Sequence, residues 1–159
     1  MKIRGFTKED LIPTLAIQAK CPQAARWVEA DYLYLADDPG GLILVTELET
    51  ATLPKVLGFA ALHQTMDIAE LRNMAVDPEH QHQGIGKALL KEAWQRLLEA
   101  GAKRVFLEVR ASNNGALQFY YSLGFGLHSV RKDYYRDPPE DAFVLALELF
   151  PSVVIQAIS

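Results

Sequence analysis

The chain has 159 residues, half of them apolar and 23% charged, with a formal net charge of −4. That length builds one hydrophobic core, and the acidic balance argues against a general nucleic-acid binder, which would show a basic face. The apolar runs are too short for a membrane helix, the charged start MKIRGFTKED lacks the apolar run of a signal peptide, and the lone Cys21 suits a reducing cytoplasm.

In chain order, Met1 to Phe6 reads as a first strand. Thr7-Lys8-Glu9-Asp10 then resembles a capping box, with Pro13 pushing the true helix start toward Asp10. A second helix is expected from Pro22 to Leu35, ended by Asp37-Asp38-Pro39-Gly40-Gly41. Strands follow at Leu42 to Leu48, Val56 to Gln64 and Ala69 to Val76, separated by turn-like segments, which predicts an antiparallel meander. Asp77-Pro78 ends the third of these strands. From Gly86 to Ala100, apolar residues recur at helical spacing, and Gly101 follows as a C-cap. Arg104 to Val109 reads as a strand, and Asn114 to Leu123 as a short helix closed by Gly124. Val130 to Tyr135 and Ala142 to Leu149 read as a hairpin around Asp137-Pro138-Pro139. This order predicts an α/β (α+β) domain over residues 1–150. Its mixed, mostly antiparallel sheet would have about seven strands and helices on both faces, with an apolar tail over 151–159.

The stretch HQHQGIGKALL (80–90) lies between a strand and a helix. A Walker A loop would need an earlier glycine and a hydroxyl after Lys87. A dinucleotide fingerprint would need a third glycine where Leu89 stands. Gln81-x-x-Gly84-x-Gly86 remains, a loop whose amides and helix dipole suit a diphosphate. The plain alternative is a tight turn that needs glycine for its own geometry.

Together with LEVRASNNGALQFYYSLGF (107–125), NMAVDPEHQHQGIGKALL (73–90) resembles the GNAT superfamily of acetyl-CoA-dependent N-acetyltransferases. Within it the match is to the RimI-type branch, which acetylates the N-terminal alanine of a small-subunit ribosomal protein. The resemblance runs from about Asn73 to Leu147 and implies the GNAT fold, acetyl-CoA as co-substrate, and a protein N-terminus as acceptor. A small-molecule amine or a lysine side chain is the alternative acceptor. A non-catalytic coenzyme A-binding module is the alternative class.

Acetyl transfer needs a proton acceptor for the attacking amine, a donor to the developing oxyanion, and a proton for the departing thiolate. Glu108 is a carboxylate in an apolar strand, where burial demands a partner or a function; a surface glutamate beside Arg104 or Arg110 is the other reading. The resemblance makes Glu108 the general base, with His63 and Glu70 as rivals on neighbouring strands. It makes Tyr120 the general acid in preference to Tyr121, although aromatic core packing explains such a pair equally well. It implies that the backbone of Met74, Ala75 and Val76 binds the pantetheine arm, a strand bulge there aiming an N–H at the thioester oxygen. His82, Gln83, Gly84, Ile85, Gly86 and Lys87 would hold the diphosphate, with Asn113 near the cofactor. His82 stands where the RimI type commonly has arginine, removing a permanent charge. Tyr134 and Tyr135 are candidates for gripping the acceptor, or simply edge-strand residues. No metal is expected, because His80 and His82 lack further ligands at metal spacing. Cys21 has no base placed to activate it as a nucleophile.

Overall fold

The computed structural model describes residues 1–50 and 52–151, so most of the expected tail lies outside the described residues. Seven strands form one sheet: β1 (Lys2–Gly5), β2 (Gly41–Leu48), β3 (Lys55–Thr65), β4 (Ile68–Val76), β5 (Arg104–Arg110), β6 (Gly126–Arg136) and β7 (Pro139–Glu148). Their spatial order is β1-β2-β3-β4-β5-β7-β6. Every neighbouring pair is antiparallel except β4 and β5, which are parallel. Parallel strands need a crossover, and here it is helix α3 (Ile85–Glu99).

The helices are α1 (Leu11–Lys20), α2 (Glu29–Asp37), α3, and α4 (Asn114–Ser122). A short 3-10 turn over Lys8–Asp10 precedes α1, so Pro13 falls in the first helical turn, where its missing N–H costs nothing. The expected helix from Pro22 is shorter than its composition suggested: residues 22–28 are irregular and α2 starts at Glu29. Tertiary hydrogen bonds to that segment's backbone, described below, take the place of a helical ladder. The last hairpin is longer than predicted in both strands. Its turn sits at Asp137–Pro138, and Pro139 already belongs to β7.

Two apolar layers cover the sheet. On one face, α3 presents Ile85, Leu89, Leu90, Ala93, Trp94 and Leu97, a stripe at helical spacing. It packs with Leu117 of α4 and sheet residues from β2 through β7. On the other face, α1 and α2 bury Leu11, Ile17, Tyr32 and Leu35 against Ile43, Val45, Val56, Phe59, Ala61 and Ala75. Among the described residues, the buried members of that second layer come from α1, α2, β2, β3 and β4, and none of the described helices covers the same face of β5, β7 and β6.

Arg4 on β1 ties the sheet edge to the start of α1. Its guanidinium donates to both Asp10 carboxylate oxygens at 2.7 and 2.9 Å and also to Glu47. Asp10 and Glu47 are both buried. Burial alone would raise the Asp10 carboxyl, but Arg4 and the Thr7 backbone N–H outweigh it and hold the group below its ordinary range. Arg4→Met strands two buried carboxylates and is expected to cost about 3 kcal/mol at neutral pH. Because the folded-state pKa of Asp10 is depressed, its share of that stability is present above the ordinary aspartate pKa of about 3.9. It is lost as pH falls through the lowered value. Denaturant melts at pH 7 and pH 3 should therefore show the gap between wild type and variant narrowing in acid; an equal gap at both would refute the assignment.

Candidate active site

The sheet opens between its two parallel strands. β4 and β5 pair only at Ile68↔Arg104, Ala69↔Val105 and Glu70↔Phe106. Beyond Glu70, β4 runs on to Val76 beside β3 alone, while β5 stays paired with β7 to Arg110. A bulge helps to produce this split. Ala61 faces Asn73 and Leu62 faces Leu71, so Arg72 is the extra residue on β4. An inserted residue turns every following side chain to the other face. Ala69 and Leu71 accordingly join the α3 layer, whereas Asn73 and Ala75 point into the α1/α2 layer.

The glycine-rich loop closes one end of the split, and its two glycines serve different needs. Gly84 has φ +81° and caps α3 with no neighbour that a Cβ would strike, so its backbone conformation requires glycine. Gly86 would place a Cβ 3.1 Å from Met74 Cε and 3.4 Å from Phe119 Cζ. Its smallness lets the first turn of α3 pack against β4 and α4. His82 is also left-handed, at φ +62°. Alternating left-handed residues ahead of a helix whose N-cap has no side-chain hydrogen bond form the kind of backbone concavity that receives anions. Gly84→Ala is expected to cost about 1–2 kcal/mol through its left-handed φ alone, read in a denaturant titration. A variant as stable as wild type would show that the turn adopts another conformation.

Val76 O accepts from Gln81 Nε2 at 3.1 Å, which pins the loop to the strand end. Met74 N–H donates to the side-chain oxygen of Asn73 at 3.0 Å. Asn113 accepts from Ala116 N–H and caps α4.

Glu108 projects from β5 on the face opposite the α3 layer, into which Val105, Leu107 and Val109 point. It is not buried, and neither Arg104 nor Arg110 is its partner: these pair with Glu148 and Glu140. Its partner is Arg131 of β6, with Nε 3.4 Å from Oε1. Together they line an open depression of about 300 Å³ with Glu70, Phe106, His128 and Val144. The Tyr134 hydroxyl lies close enough to Glu108 for that carboxylate, by hydrogen bonding and by charge, to raise the phenol above its ordinary pKa. Arg131 also stacks over the Tyr134 ring at 5.4 Å, and Arg110 over Tyr135 at 4.1 Å. Asp141 holds the irregular part of β6 that presents these residues, accepting from Asp133 N–H at 2.9 Å and Lys132 Nζ at 3.1 Å.

Tyr120 lies on the opposite side of the sheet, in the α3/α4 layer, with its ring 5.2 Å from Phe119 and 5.6 Å from Phe125. Burial pushes its phenol up to about 12, so it stays protonated throughout the neutral range. Tyr121 is exposed. His63 is engaged with Asp38 at 3.3 Å, and Glu70 with Arg72 at 3.4 Å. Asp77, Glu79 and His80 bring three donor atoms within 4.8 Å of one another, without His82. Asp77 there already accepts from Glu79 N–H and faces Lys20.

The model of the acetyltransferase (GNAT) family matches residues 11–125, well over half of the sequence. The chain belongs to the GNAT acetyltransferase family. Within it, the [ribosomal protein bS18]-alanine N-acetyltransferase of Escherichia coli is 43% identical over 97 residues. That match covers 60% of this chain and 66% of the relative, a little under two thirds of its length. A Bacillus subtilis protein with a provisional name of the same kind is 30% identical over 143 residues, 90% of this chain and 92% of its own. Among solved structures, the E. coli ribosomal-protein alanine N-acetyltransferase superposes with a TM-score of 0.78 at 34% identity, covering 93% of each chain. Chaetomium thermophilum Naa20, solved with a bisubstrate analogue, gives 0.82 at 27% identity, covering 94% of this chain and 87% of that one. The GNAT fold expected from the sequence is the one observed. No described helix is long and apolar enough to cross a membrane.

The sequence did not reveal Arg131 as the partner of Glu108, because the two meet only through the β5-β7-β6 order. Nor did it reveal Asn73, although an amide inside the apolar run LRNMAV was a usable signal.

Proposed function

We propose that this protein transfers an acetyl group from acetyl-CoA to the α-amino group of a protein N-terminus, the N-terminal alanine of ribosomal protein bS18 being the acceptor. The observation that carries this reading is the shape of the Glu108 side. It is an open depression lined by Glu108, Glu70 and Arg131, on a sheet face that none of the described helices covers, where a peptide can lie. The names of the relatives support the acceptor class.

In the proposed arrangement the amides from His82 to Lys87 hold the diphosphate of acetyl-CoA, and the stretch of β4 from Met74 to Val76, beyond its pairing with β5, receives its pantetheine arm. The bound co-substrate supplies an activated acetyl thioester. The acceptor approaches on the Glu108 face, between the 22–28 segment beside β4 and the Tyr134–Tyr135 segment of β6. Glu108 takes a proton from the acceptor ammonium, directly or through a water, leaving the neutral amine that attacks. Arg131 and the Tyr134 hydroxyl keep that carboxylate turned into the depression. Tyr120, protonated at neutral pH, gives a proton to the leaving sulfur from the other face of the sheet.

The deciding assay combines acetyl-CoA with an alanine-initiated peptide, the same peptide with its N-terminus blocked, and a lysine-bearing blocked control. Coenzyme A should be released only with the free alanine terminus. Equal release from the blocked lysine peptide would move the acceptor to a side chain.

A further inference from the structure

The α1/α2 layer contains a fully hydrogen-bonded polar cluster that the chemistry above leaves unused. Asn73, almost completely buried, sits just past the β4 bulge. Its Oδ1 accepts two backbone N–H groups at 3.0 Å each, from Met74 on its own strand and from Ala25 in the irregular 22–28 segment. Its Nδ2 donates to the Tyr32 hydroxyl at 3.1 Å, to Gln18 Oε1 at 3.3 Å and to Ala25 O at 3.4 Å. Gln18 completes the set: its Oε1 accepts from Tyr32, and its Nε2 donates to Trp27 O at 2.8 Å. Three polar side chains thus hold a segment that lacks secondary structure, and they hold it to the strand whose free edge faces the split.

An apolar residue at position 73 would pack in this layer without the cost of desolvating an amide. What it would not do is fix the Ala25 backbone to the Met74 backbone through one shared oxygen. We propose that Asn73 is a positioning residue: its carboxamide sets the spacing between the acceptor-side segment 22–28 and the cofactor-side edge of β4, and so fixes the width of the acceptor's entry. This rests on the acetyl-transfer reading above. A preformed wall lowers the ordering that an acceptor must undergo on binding, whereas the diphosphate loop is built from other residues and keeps its own geometry.

The test uses the full chain, with Asn73→Leu as the main variant and Tyr32→Phe as the milder one. Steady-state kinetics with the alanine peptide, calorimetry with acetyl-CoA, and amide hydrogen exchange are read together. Asn73→Leu should raise the acceptor KM roughly tenfold, with kcat within about threefold and acetyl-CoA affinity within about twofold. The Ala25 amide should exchange faster than in wild type. Tyr32→Phe, which removes one Asn73 partner and spares the shared oxygen, should raise the acceptor KM about threefold and carries the test if Asn73→Leu does not fold. An acceptor KM within twofold of wild type in the folded variants overturns the proposal, as does a loss of acetyl-CoA affinity equal to the loss for the acceptor. Should wild type acetylate only a small amine, the N-terminal acceptor reading fails, and the same KM comparison made with that amine still decides the role of Asn73.

Discussion

Glu108→Gln is expected to lower kcat by about two to four orders of magnitude while leaving acetyl-CoA binding within twofold. The substitution keeps the side chain's size and an oxygen that can accept from Arg131, and removes only basicity. Two magnitudes separate this outcome from damage to the fold. The Glu108 side chain is 31% exposed and Arg131 57% exposed, and ion pairs that wet contribute about 1 kcal/mol or less. The variant should therefore melt within a few degrees of wild type while losing nearly all turnover. Melting curves and turnover measured on one preparation check both halves. Activity near the wild-type level would remove Glu108 as the base and turn attention to Glu70, the other carboxylate in the depression.

Tyr120→Phe should produce a smaller but still large loss, about ten- to a hundredfold in kcat, with the KM values for both substrates little changed. The ring keeps its packing against Phe119 and Phe125, and only the hydroxyl goes. The smaller factor has a reason. A phenol pushed up to about 12 is a weak acid beside a thiol of about 8.5, so proton transfer helps chiefly as sulfur begins to carry charge. The direction of the shift also fixes the pH dependence: the donor form persists through neutral and mildly alkaline pH, so Tyr120 gives no falling limb below about pH 10. A rate that dropped between pH 7 and 9 in wild type but not in Tyr120→Phe would contradict this placement.

The elements with strong local signals were legible in the chain. The α3 stripe, the left-handed glycines at 84, 101 and 124, and the short apolar runs of β2 to β4 bounded by turn residues are short-range patterns set by sterics and burial. Residues 22–28 were misread because their composition permits a helix, whereas their backbone hydrogen bonds are satisfied by Gln18 and Asn73 from elsewhere in the chain. The last hairpin was drawn too short because its strands carry bulges and an exposed face, which blurs the period-two pattern.

By itself, then, the chain determined a mixed sheet with helices on both faces, the glycine turn ahead of α3, and the carboxylate and phenol candidates. Each of these is written in residues close in sequence, where dihedral preference and spacing act directly. Only the tertiary structure decided that Gly86 serves close packing, that Glu108 answers to Arg131, and that one Asn73 oxygen joins two distant backbones. Those facts depend on which strands become neighbours and on a one-residue bulge that reverses side-chain direction. Strand order and register follow from burial summed over the whole sheet, a quantity that no local stretch contains.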